Sequence, residues 1–267
     1  MISVTLKSPD TTSIVKIEKG ELVSYQKNNE ELIHQKGTLG WRNSDTEMFP
    51  IIGPTESKNF RISTPKGTAI QDQHGLLREL SYSLLKSSEY DAVFQKKYIA
   101  NTFINNSKYP EKSTEKGLCW PYNFTFFKKY EITNSSLKIS FELQAENKMP
   151  FMLGYHPAFM LQGNLDEIVQ SNNQDISIPN IIEGGSTALP ILNTTEVQLI
   201  KKNGFNISIK TMGFNNFMLW TEVPTMLCIE PITAYPYTDG ELLSKKLFNK
   251  SKGIDTFEVL ITPFKII

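Results

Sequence analysis

The sequence contains little cysteine, histidine or arginine, and it has no long hydrophobic run. Its two cysteines, Cys119 and Cys228, lie in the apolar contexts GLCW and MLCIE, which favours buried free thiols over a disulfide or a metal pair. No stretch reaches the ~18 apolar residues of a membrane span, and the N-terminal MISVTLKSPD lacks the basic and apolar regions of a signal peptide. We therefore expect a cytoplasmic protein with no membrane partner.

The charges are balanced, with 28 basic and 28 acidic residues and a pI of about 6.8. Because there is no positive excess to attract polyanions, no nucleic-acid partner is expected. A small neutral or weakly charged ligand fits this composition better. With 39% hydrophobic residues, the 267-residue chain can also bury a sizeable core.

Apolar and polar side chains alternate with a period of two, most clearly over 137–144, which is typical of a half-buried strand. Similar short runs recur between Gly, Asn and Pro clusters: ISVTL, SIVKIE, NFTFF, NISIK, MLCIE and FEVLIT. Helical periodicity is scarce, and the best candidate helix is 75–86. These patterns predict an all-β, mostly antiparallel sandwich with few short helices. Since no repeat or long linker marks a boundary, we expect a single domain over residues 1–267.

Two polar residues stand out within the apolar runs. His156 lies in FMLGYHPAFM, where burial costs free energy unless a partner meets the imidazole, and where desolvation keeps the ring neutral. Glu230 follows the apolar run TMLCI, and Pro231 is expected to end that strand, which would place the carboxylate at a sheet rim or in a cavity. The structural alternatives are a satisfied core histidine and a salt bridge from Glu230 to a lysine.

The segment QDQHGLLRE carries a second polar group. Gly75 permits a tight turn beside His74, and Arg78 is one of only three arginines in the chain. A planar guanidinium orients oxygen-rich ligands, although a turn with a surface arginine fits the same residues. The remaining histidine, His34, is interpreted as a surface or strand-edge residue without a role.

Aromatic side chains lie near Glu230 in the sequence. Trp220 precedes it, and Tyr235, Tyr237 and Asp239 follow. Flat rings pack on the C–H face of a pyranose while polar groups meet its hydroxyls, so this mixture suits a sugar site. Aromatic residues also fill the core of any β protein, and composition does not separate the two interpretations.

Four segments, in this order, resemble the aldose 1-epimerase (galactose mutarotase) family and its LacX-like branch: MFPIIGP at 48–54, QHGLLR at 73–78, MPFMLGYHPAF at 149–159 and FMLWTEVPTMLCIEP at 217–231. The C-terminal KKLFNKSKGIDTFEVLITPF resembles the closing strand of the family. The resemblance implies a galactose mutarotase-like β-supersandwich with a sugar site on the open face of a curved sheet. It implies an isomerase that is a monomer or homodimer and uses neither a cofactor nor a metal.

The resemblance also implies roles for individual residues. Interconverting α and β anomers requires a base that removes the C1 hydroxyl proton and an acid that protonates the ring oxygen. In the family pattern the base falls on Glu230 and the acid on His156. His74 and Arg78 match positions that bind sugar oxygens, and Trp220 is expected to line the pocket.

This sequence departs from the family pattern at several positions. Pro54 stands near the place where relatives carry an arginine, with Arg61 as a possible replacement, and no residue in 160–215 matches the substrate-binding aspartate. Tyr155 replaces a small residue, and Ile232 replaces a tryptophan. The substrate is therefore left open among another aldose, a hexose phosphate and a decorated sugar.

Three other functions would use some of the same residues. A noncatalytic carbohydrate-binding sandwich would use the same aromatic rings together with His74 and Arg78. A glycosidase that pairs Glu230 with Asp239 is weaker, because two prolines separate these residues and nothing sets their distance. A metal site from His74, His156 and Glu230 lacks any short ligand spacing.

Overall fold

The computed structural model describes residues 2–171 and 174–265, and nearly all of its regular structure is β-strand. The strands of the N-terminal half are β1 (Ser3–Lys7), β2 (Ser13–Glu18), β3 (Glu21–Lys27), β4 (Glu30–Glu31), β5 (Glu47–Met48), β6 (Arg61–Thr64), β7 (Gly67–Ile70), β8 (Ser83–Ser87), β9 (Asp91–Tyr98), β10 (Ile104–Asn105), β11 (Gly117–Leu118), β12 (Phe124–Ile132) and β13 (Leu137–Ala145). The strands of the C-terminal half are β14 (Pro150–Phe151), β15 (Gly154–Tyr155), β16 (Ala158–Met160), β17 (Ile168–Ser171), β18 (Gln174–Ser177), β19 (Leu189–Leu192), β20 (Glu196–Ile200), β21 (Asn206–Met212), β22 (Asn216–Trp220), β23 (Met226–Ile232), β24 (Asn249–Lys250) and β25 (Ile254–Phe264). The described helical segments are α1 (Ile178–Glu183) and the 3₁₀ turns Glu56–Lys58, Leu77–Glu79 and Lys245–Leu247. None of these helical segments has the length and hydrophobicity needed to cross a membrane.

Two large antiparallel sheets organise the described residues. The first has nine strands in the order β18-β17-β20-β21-β25-β13-β12-β9-β8, and the second has six, with β19-β22-β23-β15-β5 in order and β16 also paired with β23. A four-stranded sheet, β1-β2-β3-β4, lies at the N-terminal end of the chain. The predicted all-β, antiparallel class with few helices is therefore confirmed.

The alternation of the sequence becomes the two faces of these strands. In β13 the side chains of Leu137, Ile139, Phe141 and Leu143 are buried, and the residues between them are not. β12 and β13 pair along their whole length, from Phe124 opposite Ala145 onward. The six other predicted runs also lie in strands.

The predicted helix at 75–86 is wrong. Only Leu77–Glu79 forms a single 3₁₀ turn, and Leu80 already has an extended backbone. Ser83–Ser87 then pairs with β9 at the edge of the nine-stranded sheet. One helical turn fixes several residues for a single hydrogen bond, whereas sheet pairing satisfies the backbone of the following residues.

Aromatic contacts join the two large sheets through a shared core. The ring centroids of Phe141 and Tyr155 are 5.2 Å apart, and those of Phe49 and Phe124 are 4.9 Å apart. Both contacts run from the nine-stranded sheet to the six-stranded sheet or the segment just after its edge strand. The core therefore covers one face of the six-stranded sheet.

A cluster of charged side chains lies in this core, and we call it the buried lysine cluster: Asp45, Glu47, Lys96, Lys128 and Tyr155. The Lys128 Nζ atom lies 2.7 Å from an oxygen of Asp45 and 2.7 Å from one of Glu47. Lys96 lies 3.5 Å from Glu47, and the Tyr155 hydroxyl donates to Asp45 over 2.7 Å. Burial raises the pKa of Asp45 to about 6, while the Lys128 ammonium opposes that rise. These contacts attach residues 45–47 and β15 to the nine-stranded sheet.

Candidate active site

The cross-strand register of the six-stranded sheet brings His156 and Glu230 together. Gly154 pairs with Ile232 and Ala158 pairs with Cys228, so the same register places His156 directly opposite Glu230. Opposite residues of an antiparallel pair project from the same face. The distance from His156 Nε2 to Glu230 Oε1 is accordingly 3.3 Å.

The expectation that Pro231 ends its strand is wrong, because β23 continues to Ile232. Pro157 and Pro231 both lack an N–H, which removes ladder hydrogen bonds and divides the neighbouring strand into β15 and β16. The register resumes beyond this gap. Glu230 therefore lies within a sheet rather than at a rim, and its carboxyl is almost completely buried.

Burial opposes charge on both members of the pair. It raises the pKa of Glu230 well above its usual value, and the Arg78 guanidinium only partly counters this rise. Burial also lowers the pKa of His156 to about 3, and the charge of Arg78 adds to the effect. Burial therefore favours the uncharged form of both side chains, a protonated carboxyl and a neutral imidazole.

Each member of the pair has one further polar atom available. Within the described residues, His156 Nδ1 and Glu230 Oε2 are buried and have no hydrogen-bond partner. Buried polar atoms are normally paired, so each orphan in a native fold calls for an explanation. A bound ligand with hydroxyl groups would satisfy both.

Trp41 covers one face of the His156 imidazole. The two rings are stacked with their centroids 4.2 Å apart and an interplanar angle of 22°. The carbonyl of Trp41 lies 2.7 Å from Nε2 of His34, which is 2% exposed. His34 is therefore not a surface residue: its backbone N–H donates to Ala158 at the edge of β16, and its buried ring contacts the segment that carries Trp41.

Sequence reasoning missed Trp41 because its segment, GTLGWRN, forms no strand and has no register to follow. The available signal was a large aromatic residue in a Gly-containing loop, where polar residues are usual.

His74 also lies beside the pair. Its ring centroid is 6.0 Å from that of His156, at an interplanar angle of 74°. The Gly53 N–H donates to His74 Nδ1 over 3.1 Å, so a neutral ring carries its proton on Nε2. Burial, followed by the charge of Arg78, lowers the pKa of His74 well below its usual value. His74 is therefore a neutral hydrogen-bond donor.

The turn that presents His74 is tight, as the sequence predicted. His74 has a φ of 68° and Gly75 a φ of 78°, both in the left-handed region. A Cβ on Gly75 would lie 2.2 Å from the carbonyl oxygen of Phe49. Only glycine fits there, and a non-glycine residue held at positive φ, such as His74, is common at functional sites.

The other predicted residues are distributed as follows. Trp220 is half-buried, and its ring centroid is 6.3 Å from that of His156. Arg78 is half-buried within the turn Leu77–Glu79, close enough for its charge to act on His74, His156 and Glu230. Within the described residues, Arg78 Nε is buried without a partner. The structure thus places His74, Glu230 and Trp220 around the imidazole of His156, with Arg78 close enough for its charge to act on three of these residues.

Three residues that the sequence left in question lie away from this group. Arg61 forms an ion pair with Glu115 over 2.9 Å. Asp239 accepts a hydrogen bond from Ser244 and pairs with Lys246, not with Glu230. Tyr155 neighbours His156 and therefore projects from the opposite face, into the buried lysine cluster. Replacing a small residue with Tyr155 consequently does not narrow the site.

Solved structures with this architecture define the fold class. A galactose mutarotase related enzyme from Lactobacillus acidophilus has a TM-score of 0.75 at 20% identity, covering 99% of this chain and 98% of that one. A galactose mutarotase-like protein from Lactobacillus casei has a TM-score of 0.78 at 16% identity, covering 98% of this chain and 100% of that one. These matches confirm the galactose mutarotase-like fold.

Sequence comparison supplies the family. The sequence model of the family described as aldose 1-epimerase matches residues 3–217, and the chain belongs to that family. Two LacX proteins from Lactococcus lactis subsp. lactis, one chromosomal and one plasmid, are each 25% identical over 166 residues. The matched region is 59% of this chain, and the chain spans about half the length of these curated relatives.

Proposed function

We propose that the protein is an aldose 1-epimerase, or mutarotase, which interconverts the α and β anomers of a hexose or a related sugar. The observation that carries the proposal is the buried cross-strand pair of His156 and Glu230, with 3.3 Å between Nε2 and Oε1. Membership of the aldose 1-epimerase family supports the same reaction class. Opening the ring of a sugar hemiacetal needs one acid and one base. The pair can supply both, because one titratable proton can pass between its two members.

The reaction begins with a shift of that proton. In the free site the proton is on Glu230, because burial raises the pKa of its carboxyl. A sugar hydroxyl that donates to the unpaired Oε2 stabilises the carboxylate, and the proton passes to His156. The pair then has Glu230 as the base and His156 as the acid.

Ring opening and closure follow with balanced protons. Glu230 removes the proton of the C1 hydroxyl while His156 protonates the ring oxygen, the bond from C1 to the ring oxygen breaks, and an aldehyde forms. After rotation about the bond from C1 to C2, closure on the other face returns each proton by the reverse path. Each catalytic group of this kind contributes about 10²- to 10⁴-fold in rate.

The surrounding side chains would bind and orient the sugar. His74 offers its Nε2–H, and Arg78 offers a fork of N–H donors for ring and hydroxyl oxygens. The half-buried ring of Trp220 can pack on a C–H face of the pyranose.

Saturation-transfer NMR on a panel of aldoses and hexose phosphates tests the proposal. We expect His156→Gln and Glu230→Gln each to lower the enzymatic rate of anomer exchange by about 10²- to 10⁴-fold. Both variants should still be stabilised against thermal unfolding by the active sugar. Asp239→Asn is the matched control, since this exposed carboxylate does not contact the pair and its loss should leave the rate unchanged.

The alternative is a noncatalytic carbohydrate-binding protein, favoured by the rings of Trp41, His74 and Trp220 around one small site. A sugar would raise the unfolding temperature of such a protein. The anomers of every sugar would nevertheless exchange no faster than in buffer alone. That combination would replace the mutarotase proposal.

A further inference from the structure

Cys228 is a third reactive side chain on the same face as His156 and Glu230. It lies two residues before Glu230 in β23 and therefore projects from the same side of the sheet. One ligand atom from each of the three residues can be chosen so that all lie within 4.8 Å of one another. Cys228 is 0% exposed, Glu230 1% and His156 6%. The sequence alone indicated only a buried free thiol at this position.

These three groups match the ligand chemistry of zinc. A thiolate, an imidazole and a carboxylate are its common protein ligands, and they bind at about 2.0–2.3 Å in a tetrahedral arrangement. Such bonds place a nitrogen and an oxygen ligand about 3.3 Å apart. The separation of His156 Nε2 from Glu230 Oε1 is already 3.3 Å.

The sulfur requires a small adjustment. In a tetrahedral zinc site a sulfur lies about 3.6 Å from its neighbouring ligand atoms. Because the chosen ligand atoms lie within 4.8 Å of one another, a shift of at most about 1.2 Å brings the sulfur to this distance, which is within reach of side-chain rotation. A fourth position remains for water.

One further observation and one charge argument favour a cation here. Within the described residues, Glu230 Oε2 is buried and unpaired, so the site contains an acceptor without a donor. A thiolate and a carboxylate ligand together offset the two positive charges of Zn²⁺, so the complex would carry no net charge. A neutral complex suits a buried site, where an uncompensated charge is costly.

We propose that His156, Cys228 and Glu230 bind one thiophilic divalent cation per chain, with Zn²⁺ as the representative ion. The cation occupies the groups that would otherwise exchange protons with a sugar, so its binding blocks the site. It is an inhibitor here and not a cofactor. The binding itself does not depend on the proposed function, although the inhibition does.

A Co²⁺ titration of the full-length protein tests the binding. We expect a thiolate-to-cobalt charge-transfer band in the near ultraviolet that saturates at one equivalent and disappears when Zn²⁺ is added. Cys228→Ser should lose the band. It should also bind Zn²⁺ at least about 100-fold more weakly, since metal sites lose up to that much affinity when even an outer-shell partner is removed. Cys119→Ser is the matched control and should keep the band, since Cys119 is the other free cysteine and is only half-buried.

Two results would overturn the proposal: no band in the unmodified protein, or a band that persists in Cys228→Ser. Circular dichroism at the titration temperature establishes that each variant is folded. Cys228→Ala gives a second variant that removes the sulfur without adding a hydroxyl, and it should also lose the band.

The inhibition is measured as the ratio of anomer-exchange rates with and without Zn²⁺. We expect this ratio to fall at least 10-fold further in the unmodified protein than in Cys228→Ala, because one ligand is missing from the variant. Equal inhibition of both proteins would contradict a shared site. A cobalt band in a protein with no epimerase activity would refute the proposed function alone, and normal activity without a band would refute the metal site alone.

Discussion

Burial disfavours charge on both His156 and Glu230. The uncharged pair therefore carries one titratable proton, on the carboxyl. In the proposed reaction, the pair can exchange protons with a sugar while it carries one titratable proton. The imidazole of His156 gains a proton only near its pKa of about 3. The carboxyl of Glu230 loses its proton only above its raised pKa. An ordinary imidazole would instead titrate near about 6.5.

This difference predicts the pH profile of the proposed reaction. We expect kcat/KM, corrected for spontaneous exchange and measured with EDTA present, to stay level from neutral pH down to about pH 4 and to fall only on the alkaline side. An acid limb with its midpoint between about 6 and 7 would show that the imidazole is not desolvated in the working site.

The raised pKa of Glu230 also has a consequence for stability. A group whose pKa is higher in the folded state stabilises the fold most below its unfolded pKa of about 4.3, and this stabilisation is lost as the pH rises through the folded pKa. We therefore expect Glu230→Gln to raise the unfolding temperature at pH 8 by about 2–4 °C, the shift that about 1 kcal/mol produces. At pH 5 the gain should be smaller.

Thermal unfolding followed by circular dichroism at both pH values measures this effect. The exposed Glu222→Gln, just before the same strand, is the control and should change little at either pH. A lower unfolding temperature for Glu230→Gln at both pH values would mean that the carboxyl makes a stabilising contact that the described geometry lacks.

At the scale of elements, the loop 35–44 contacts the candidate site through Trp41. Stacking at 4.2 Å limits the orientations of the His156 imidazole. We expect Trp41→Ala to lower kcat by about 10- to 100-fold, since small misplacements of a catalytic group have effects of this size. KM should change less, and Trp41→Phe should restore part of kcat.

Steady-state kinetics separate this positioning role from a structural one. Leu39→Ala is the control in the same loop, because its side chain is 69% exposed and contributes no stacking. If Trp41→Ala raised KM and left kcat intact, the indole would be binding the sugar instead of holding the imidazole.

A second element-scale prediction concerns the strand β12, which carries Lys128 into the buried lysine cluster. Lys128→Met should lower the free energy of unfolding by about 3–5 kcal/mol, because it leaves the buried Asp45 and Glu47 without their shared cation. Urea denaturation measures the loss.

The neighbouring Lys129→Met is the matched control. Its ammonium pairs with Glu131 on a partly exposed surface, so its loss should cost less than about 1 kcal/mol. Equal stability of the two variants would indicate that the cluster tolerates an apolar replacement.

At the scale of the whole molecule, we propose that the chain unfolds as one cooperative unit. Aromatic contacts such as Phe141 with Tyr155 connect the nine-stranded and six-stranded sheets, so neither sheet keeps its buried face without the other. Differential scanning calorimetry should give one transition with equal calorimetric and van't Hoff enthalpies. Two resolved transitions would divide the chain into separate domains.

The positions of the strands could be predicted from the sequence because a pleated strand sends neighbouring side chains to opposite faces. That local rule located β13 and β23 and placed Cys228 and Glu230 in an apolar strand. It failed at 75–86, where apolar spacing fits one helical turn or an edge strand equally well. Only pairing with β9 decided between them.

The sequence by itself determined the all-β class. Its segments that resemble the aldose 1-epimerase family also identified the candidate site residues, which are His156, Glu230, His74, Arg78 and Trp220. The tertiary structure alone decided that His156 faces Glu230, that His34 contacts Trp41, and that Cys228 joins them. The physical reason is that alternation is a property of a single strand. Register between strands distant in the chain, and the path of a loop across a sheet, depend on how the whole chain packs.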